Sequence, residues 1–394
     1  MEIIMETYDN YSAVVVAITN KYPLFGLDRL VGTRIMGQQV LVGADTPIGT
    51  VGLYFPIETS IAPDFLRANN LYTHADMNAD PTKTGFFETS GRVKAVKFRT
   101  HRSEGYFIPL QSLDYLGLSE MPKVGDDFNT IGGQLICQKY VKQQQQHTPK
   151  PPIVLPAING VPTIKLHYNT SPLYKIDLPV DVHITVTEKL HGTSGVCGRV
   201  YMGDGEYQPL VTSRKELRNL NGDDVGGHAA RVVLPLIEEG ITLYYEIVGY
   251  EPGGGMIQPK YDYGYTMPKG NYQYGKNFGV YVYRVTQIDP ETLEIREYSA
   301  SEVQSYCAER GLTPVPHLFT GQLSHFGNTF EEALEGLKEQ YLEQRCEMCK
   351  NDVPNEGIVM RVVELPHTAF KLKSFAFLVY ETKALDRGEI NEEV

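Results

Sequence analysis

The run Gln143-Gln144-Gln145-Gln146-His147-Thr148-Pro149-Lys150-Pro151-Pro152 does most to limit what this 394-residue chain can become. Glutamines give it no apolar face to bury, and the prolines remove backbone donors that a helix or a sheet ladder would need. It reads as a linker over 143–152. The chain must therefore fold as two domains, 1–142 and 153–394, each long enough for its own core.

The first segment is broken into short apolar runs by Gly, Pro, Asn and Asp. Ala13 to Ile18, Gln39 to Gly43, Thr50 to Phe55, Arg92 to Arg99 and Gly105 to Leu110 all read as strands. Many short strands suggest an OB-like barrel. Along Arg92 to Arg99 basic and apolar residues interleave, with a slip near Val96 that predicts a bulge. Net charge is -12, which disfavours a nucleic-acid partner for the whole protein. Yet between Lys83 and Arg102 the cations Lys83, Arg92, Lys94, Lys97, Arg99 and Arg102 face one acid, Glu88. A local patch can hold phosphates on an acidic protein. Arg92, Lys94, Lys97 and Arg99 are the candidate phosphate contacts. The run Asp76-x-Asn78-x-Asp80 imitates a calcium loop, but Pro81 and Phe87 occupy the places that need glycine and a bidentate acid.

The second segment alternates strands with a few helices, which makes the class α+β with antiparallel sheets flanked by helices. Strands are predicted over Val182 to Val186, Leu243 to Val248, Phe278 to Val285, Gly357 to Val363 and Phe370 to Ser374. Ala300 to Arg310 reads as a helix capped by Ser301 and stopped by Gly311; Phe330 to Lys350 reads as another. The Gly/Tyr-rich region from Gly253 to Tyr274 is a long loop, expected to cover a site. Cys346-x-x-Cys349 has no second pair at zinc spacing and receives no metal.

At the end of the first of these strands stands Thr187-Glu188-Lys189-Leu190-His191-Gly192-Thr193-Ser194. A lysine before a glycine turn is unremarkable alone. A lysine that attacks a phosphate, however, needs a neutral amine, further cations for the phosphate oxygens, acids for a metal and an aromatic for a base. Lys371 and Lys373, two apart, share a strand face. Glu246 and Glu356 sit in apolar strands where an unpaired carboxylate is costly. Tyr281 and Tyr283 share another face.

In that order and spacing these stretches resemble the covalent nucleotidyltransferase superfamily of ATP-dependent polynucleotide ligases and capping enzymes. Lys189 to Gly192 is similar to its nucleophile motif, with His191 in the RNA ligase 2-like form. Ser213-Arg214, Tyr245-Glu246, Tyr281 to Tyr283, Glu356 to Arg361 and Lys371 to Ser374 are similar to the elements that follow. The resemblance implies that Lys189 attacks the α-phosphate of ATP and carries AMP as a phosphoramidate. It implies catalytic roles for Lys189, His191, Lys371 and Lys373. Nucleotide contacts are implied for Glu188, Lys189, Arg214, Glu246, Tyr283, Val359, Lys371 and Lys373. Mg²⁺, with Mn²⁺ as a substitute, would be held by Glu356 and Glu246. Tyr281 is a second stacking choice, and strand alternation would put Ile358 rather than Val359 beside Glu356. Arg284 stands where many relatives carry an acid.

DNA ligases and capping enzymes of this superfamily place an OB domain after the last motif, whereas here a β-rich block comes first. Together with His191 this favours an RNA ligase that joins a 3′-OH to a 5′-phosphate through lysyl-AMP and RNA-adenylate. A DNA ligase or capping-type transferase and a catalytically inactive RNA-binding relative are the alternatives. No GxxxxGK[ST] loop is present for a fused kinase. With no secretory n-region or long apolar run, and with five cysteines suited to a reducing compartment, the expectation is a cytoplasmic monomer without membrane contact.

Overall fold

A computed structural model describes residues 4–141, 154–166, 170–213, 216–365 and 368–388. The expected linker 143–152 lies outside them. Two compact units emerge, one of Met1–Gln144 with Leu378–Val394 and one of Gln145–Phe377. The last helix, Phe375–Arg387, thus starts in the second unit and continues in the first, a division that the linker alone does not signal.

The first unit is β-rich but its strands do not close a barrel among the described residues. Asp127–Phe128, Ala13–Ala17, Val51–Phe55 and Tyr106–Pro109 form an open four-stranded sheet, and the other strands pair in twos and threes. Val51–Phe55 is buried on both faces: Leu53 and Phe55 enter one core with Phe65, Leu113 and Phe128, while Tyr54 enters a second with Ile18, Val40 and Phe107. Each such side chain contributes about 1.5–3 kcal/mol of burial, so two small cores hold this unit instead of one barrel lumen. The basic segment is a strand only over Val96–Phe98, where all three residues are exposed.

The second unit is built on two sheets. One has the order Ser171–Pro172, Ala369–Lys373, Gly357–Val362, His183–Lys189, His317–Gln322. The other runs Glu206–Thr212, Thr193–Gly203, Ile241–Gly249, Phe278–Ile288, Ile295–Glu297, with Thr313–Pro314 paired to Phe278–Ile288 as a sixth strand. Ile184, Val186, Ile358, Met360 and Leu372 pack against the helix Phe330–Tyr341 through Leu334 and Leu337. That helix ends well before Lys350, with Glu343 at φ 58 breaking the helical path just beyond it. Ala300–Arg310 is helical as expected and stops at Gly311 in the left-handed conformation, but its cap is Ser299, in a capping box with Glu302.

Candidate active site

Register explains how four separate stretches meet. His183–Lys189 pairs with Gly357–Val362, which pairs in turn with Ala369–Lys373. Two rows cross the three strands: Thr187–Val359–Lys371 and Lys189–Gly357–Lys373. Residues in a row share a face, with their Cβ atoms roughly 5 Å apart. The three lysines therefore stand on one face. The middle of the second row must be glycine: Gly357 has φ +149, and a Cβ there would lie 2.1 Å from Leu372 O. This backbone also breaks the alternation. Glu356 turns toward Lys189, Ile358 points into the core at 0% exposure, and Val359 lines the cleft. The conflict between Ile358 and Val359 is thereby resolved in favour of Val359.

Leu190, His191 and Gly192 carry the chain from one sheet to the other. A side chain at Gly192 would meet Ile247 O at 2.4 Å, so the turn presses directly on the neighbouring strand. Ser194 then pairs with Glu246 and donates from Oγ to Glu246 Oε2 at 3.1 Å. Between Tyr244 and Tyr245 the partner register shifts, so that Tyr244 faces Arg284 and Tyr245 faces Val282. The extra residue in this bulge is Tyr283, and both Tyr283 and Arg284 line the cleft. Tyr281 stays outside the lining, its hydroxyl 3.2 Å from that of Tyr265. Arg284 forms a bidentate pair with Glu297, 2.6 Å and 2.9 Å, over the Tyr244 ring at 4.3 Å. The arginine found in place of an acid is thus neutralised within the wall of the cleft.

The cleft lies between the two sheets, with Thr187, Lys189 and Val359 lining it from one and Ser194, Glu246 and Tyr283 from the other. At its lysine end Glu356, 5% exposed, forms an ion pair with Lys189 Nζ, and His191 Nδ1 stands 3.5 Å from Glu356 Oε2. Burial pushes the Glu356 carboxyl up, but Lys189, His191 and Lys373 outweigh it and hold the group well below the usual carboxylate range. The His191 ring is packed edge-on by Tyr261 at 4.7 Å and Phe377 at 4.9 Å.

Residues 182–373 match the RNA ligase family. They form an RNA ligase domain. No curated protein matches the chain in sequence. Among solved structures it is similar to the RNA ligase of Naegleria gruberi. A lysine-to-methionine variant of that protein with AMP and manganese superimposes with a TM-score of 0.65 at 17% identity, over 94% of this chain and 98% of that one. A glutamate-to-alanine variant with ATP and manganese gives 0.65 at 18% identity, over 93% and 98%. At these identities the likeness is one of fold, and it extends over both units.

Within the ligase domain, Lys189, Glu246, Tyr283 and Val359 line the cleft, and Lys371 and Lys373 occupy the same sheet face as Lys189 by register. Glu188 does not present its carboxylate there. It sits in the row Glu188–Ile358–Leu372 on the opposite face, with Cys346 Sγ 4.0 Å from Oε1, so alternation leaves only its main chain to the cleft. Burial first, and Glu347 second, push its carboxyl up to about 7. Arg214 lies outside the described residues. Of the candidate phosphate contacts in the first unit, the Arg92 side chain is 1% exposed, stacked on Tyr140 at 4.7 Å and 3.7 Å from Asp386. Lys94 pairs with the same aspartate at 3.0 Å, Arg99 donates to Gly26 O, and Lys97 is exposed.

A divalent metal fits this site only in a particular way. No group of three or more His, Cys, Asp or Glu among the described residues could cage an ion. Glu356 Oε2 is buried without a hydrogen-bond donor, which suits an ion held by one or two carboxylates, waters and substrate phosphates. Sequence reasoning passed over Thr187, Ser194, Gln258, Tyr261 and Tyr263. Thr187 was available from alternation, two residues before Lys189; the others act through tertiary contacts that no spacing reveals.

Proposed function

We propose that this chain is an ATP-dependent RNA ligase that seals a 3′-OH to a 5′-phosphate. The observation that carries the reading is the convergence of Lys189, Lys371, Lys373 and Glu356 around Gly357, on one face of one sheet. Lys189, once deprotonated, attacks the α-phosphorus of ATP; the P–N bond forms as the P–O bond to pyrophosphate breaks. Lys371 and Lys373 stand where they can neutralise the phosphate oxygens as charge develops. Tyr283 and Val359 offer faces for the adenine, and Glu246, oriented by Ser194, is placed for ribose hydroxyls. Glu356, with Glu246, would hold Mg²⁺ or Mn²⁺, which supplies charge neutralisation on the triphosphate when bound. The RNA 5′-phosphate then displaces the lysine to give RNA-adenylate. Last, a 3′-hydroxyl attacks that phosphate and AMP leaves.

Within the same reading, residues 1–142 serve as an OB-like module that engages RNA phosphates through Lys97 and Arg99, and the enzyme acts as a cytoplasmic monomer with no membrane partner. No helix among the described residues is long and apolar enough to cross a membrane.

Incubation with labelled ATP and Mg²⁺ tests the proposal. A covalent protein–AMP adduct that is absent from Lys189→Ala is expected, followed by sealing of 5′-phosphorylated RNA. Absence of the adduct in the wild type overturns it.

A further inference from the structure

The Gly/Tyr-rich loop, expected to cover the site, contributes no residue to the cleft lining. Its segment from Gln258 to Gly264 is bonded on one side to the turn that follows Lys189. The Tyr263 hydroxyl accepts from His191 N–H at 2.9 Å and donates to His191 C=O at 3.1 Å, so that one side chain fixes both polar groups of a residue two places from the nucleophile. Gln258 Nε2 donates to Gly192 O at 2.7 Å. On its other side the same segment is bonded to the stretch leading into Glu356. The Tyr261 hydroxyl donates to Pro354 O at 2.8 Å, two residues before that carboxylate. Asp262 N–H donates to Asn351 Oδ1 at 3.2 Å, and Lys350 N–H donates to Asp262 O at 2.7 Å. Tyr261, 1% exposed, also packs its ring against His191.

We infer that Gln258, Tyr261 and Tyr263 are positioning residues: they form a splint that sets the placement of Lys189 relative to Glu356. The inference rests on the ligase reading above. Lys189 ends one strand and Glu356 immediately precedes another, and the turn 190–192 between the two sheets pairs with no strand among the described residues. A reactive amine must sit within a few tenths of an ångström of its line of attack, and a shift of about 1 Å can cost about 100-fold in rate. The splint supplies that constraint from outside both strands, and none of its three residues lines the cleft.

Single-turnover formation of lysyl-AMP with labelled ATP and Mg²⁺ tests it in the full-length chain. Tyr263→Phe keeps the ring and loses both bonds to His191; Tyr261→Phe keeps the ring and loses the bond to Pro354. Each is expected to slow adduct formation at saturating ATP by about 10- to 100-fold, with the KM for ATP and the melting temperature kept. The double variant should fall little further, because parts of one splint are not additive. Tyr272→Phe, whose hydroxyl donates to Tyr250 O elsewhere in the loop, keeps the wild-type rate. Wild-type rates in both splint variants overturn the inference, as does a loss that follows the unfolded fraction or appears only in KM. A wild-type chain that forms no adduct overturns the ligase reading itself, which is a separate and recognisable result.

Discussion

The segments 92–99 and 183–189 invite comparison as sequence: each alternates polar with apolar residues, and each was expected to present cations from a strand, four basic residues along the first and Lys189 at the end of the second. The second became one. His183–Lys189 is paired along its length, by Gly357–Val362 on one side and His317–Gln322 on the other, while Ile184 and Val186 are fully buried beneath it. In the first, only Val96–Phe98 is strand, and it pairs with His101–Ser103 alone. Val93 and Ala95 are buried, but Val96 and Phe98 are exposed, so alternation is lost at the predicted slip. Arg92 is drawn inward. Alternation orders a strand when partners on both sides hold its backbone and a core takes one face. A lysine then acquires its role from the row it joins.

This contrast can be broken most sharply at Gly357. Gly357→Ala puts a Cβ against Leu372 O in a left-handed backbone, which should cost about 4 kcal/mol of stability and abolish lysine adenylylation. Urea unfolding and the adduct assay check this. If both are unaffected, the lysine rows do not depend on close strand pairing.

The buried face of the same strand gives the next effect. The folded state binds a proton on Glu188 more tightly than the unfolded chain does, since its carboxyl moves from 4.5 to about 7. Its stabilising contribution is complete below 4.5 and is lost as pH rises through about 7. Glu188→Gln should therefore gain up to about 3 kcal/mol relative to wild type between pH 4.5 and pH 8. Denaturant melts at the two pH values measure it, and a pH-independent difference would place the carboxylate in water.

The smallest effects separate the residues of the basic segment. Arg92→Ala should destabilise by about 2 kcal/mol through lost packing on Tyr140 and leave adenylylation unchanged. Lys97→Ala should leave the melting curve unchanged and reduce the salt slope of RNA binding by about 1. Equal behaviour of the two would mean that burial does not distinguish them.

Much of the candidate site's lining was legible, Lys189, Glu246, Tyr283 and Val359 among it, because charged residues in apolar surroundings are costly without a partner. Carboxylates in apolar surroundings, a lysine pair at spacing two and a lysine before a glycine are each unremarkable alone, and it is their order and spacing together that point to the site. Glu188 is named by the motif and does line the cleft, but alternation, which the motif does not carry, turns its carboxylate to the other face. Tyr283 was preferred to Tyr281 on the sequence, but the bulge between Tyr244 and Tyr245 that brings Tyr283 to the cleft lining was not legible there. The open sheets of the first unit were read as a barrel because short strands specify their own existence more firmly than their closure.

By itself, then, the order of residues pointed to a division near residue 143, to the strands of the second unit and to Lys189 as the candidate nucleophile, since periodicity and residue chemistry are local properties. Tertiary structure decided that Gly357 turns Glu356 toward Lys189, that Arg284 is neutralised by Glu297, and that Tyr261 and Tyr263 brace the two reacting segments. Those outcomes depend on which distant backbone groups come within hydrogen-bond reach, and only the packed chain sets those distances.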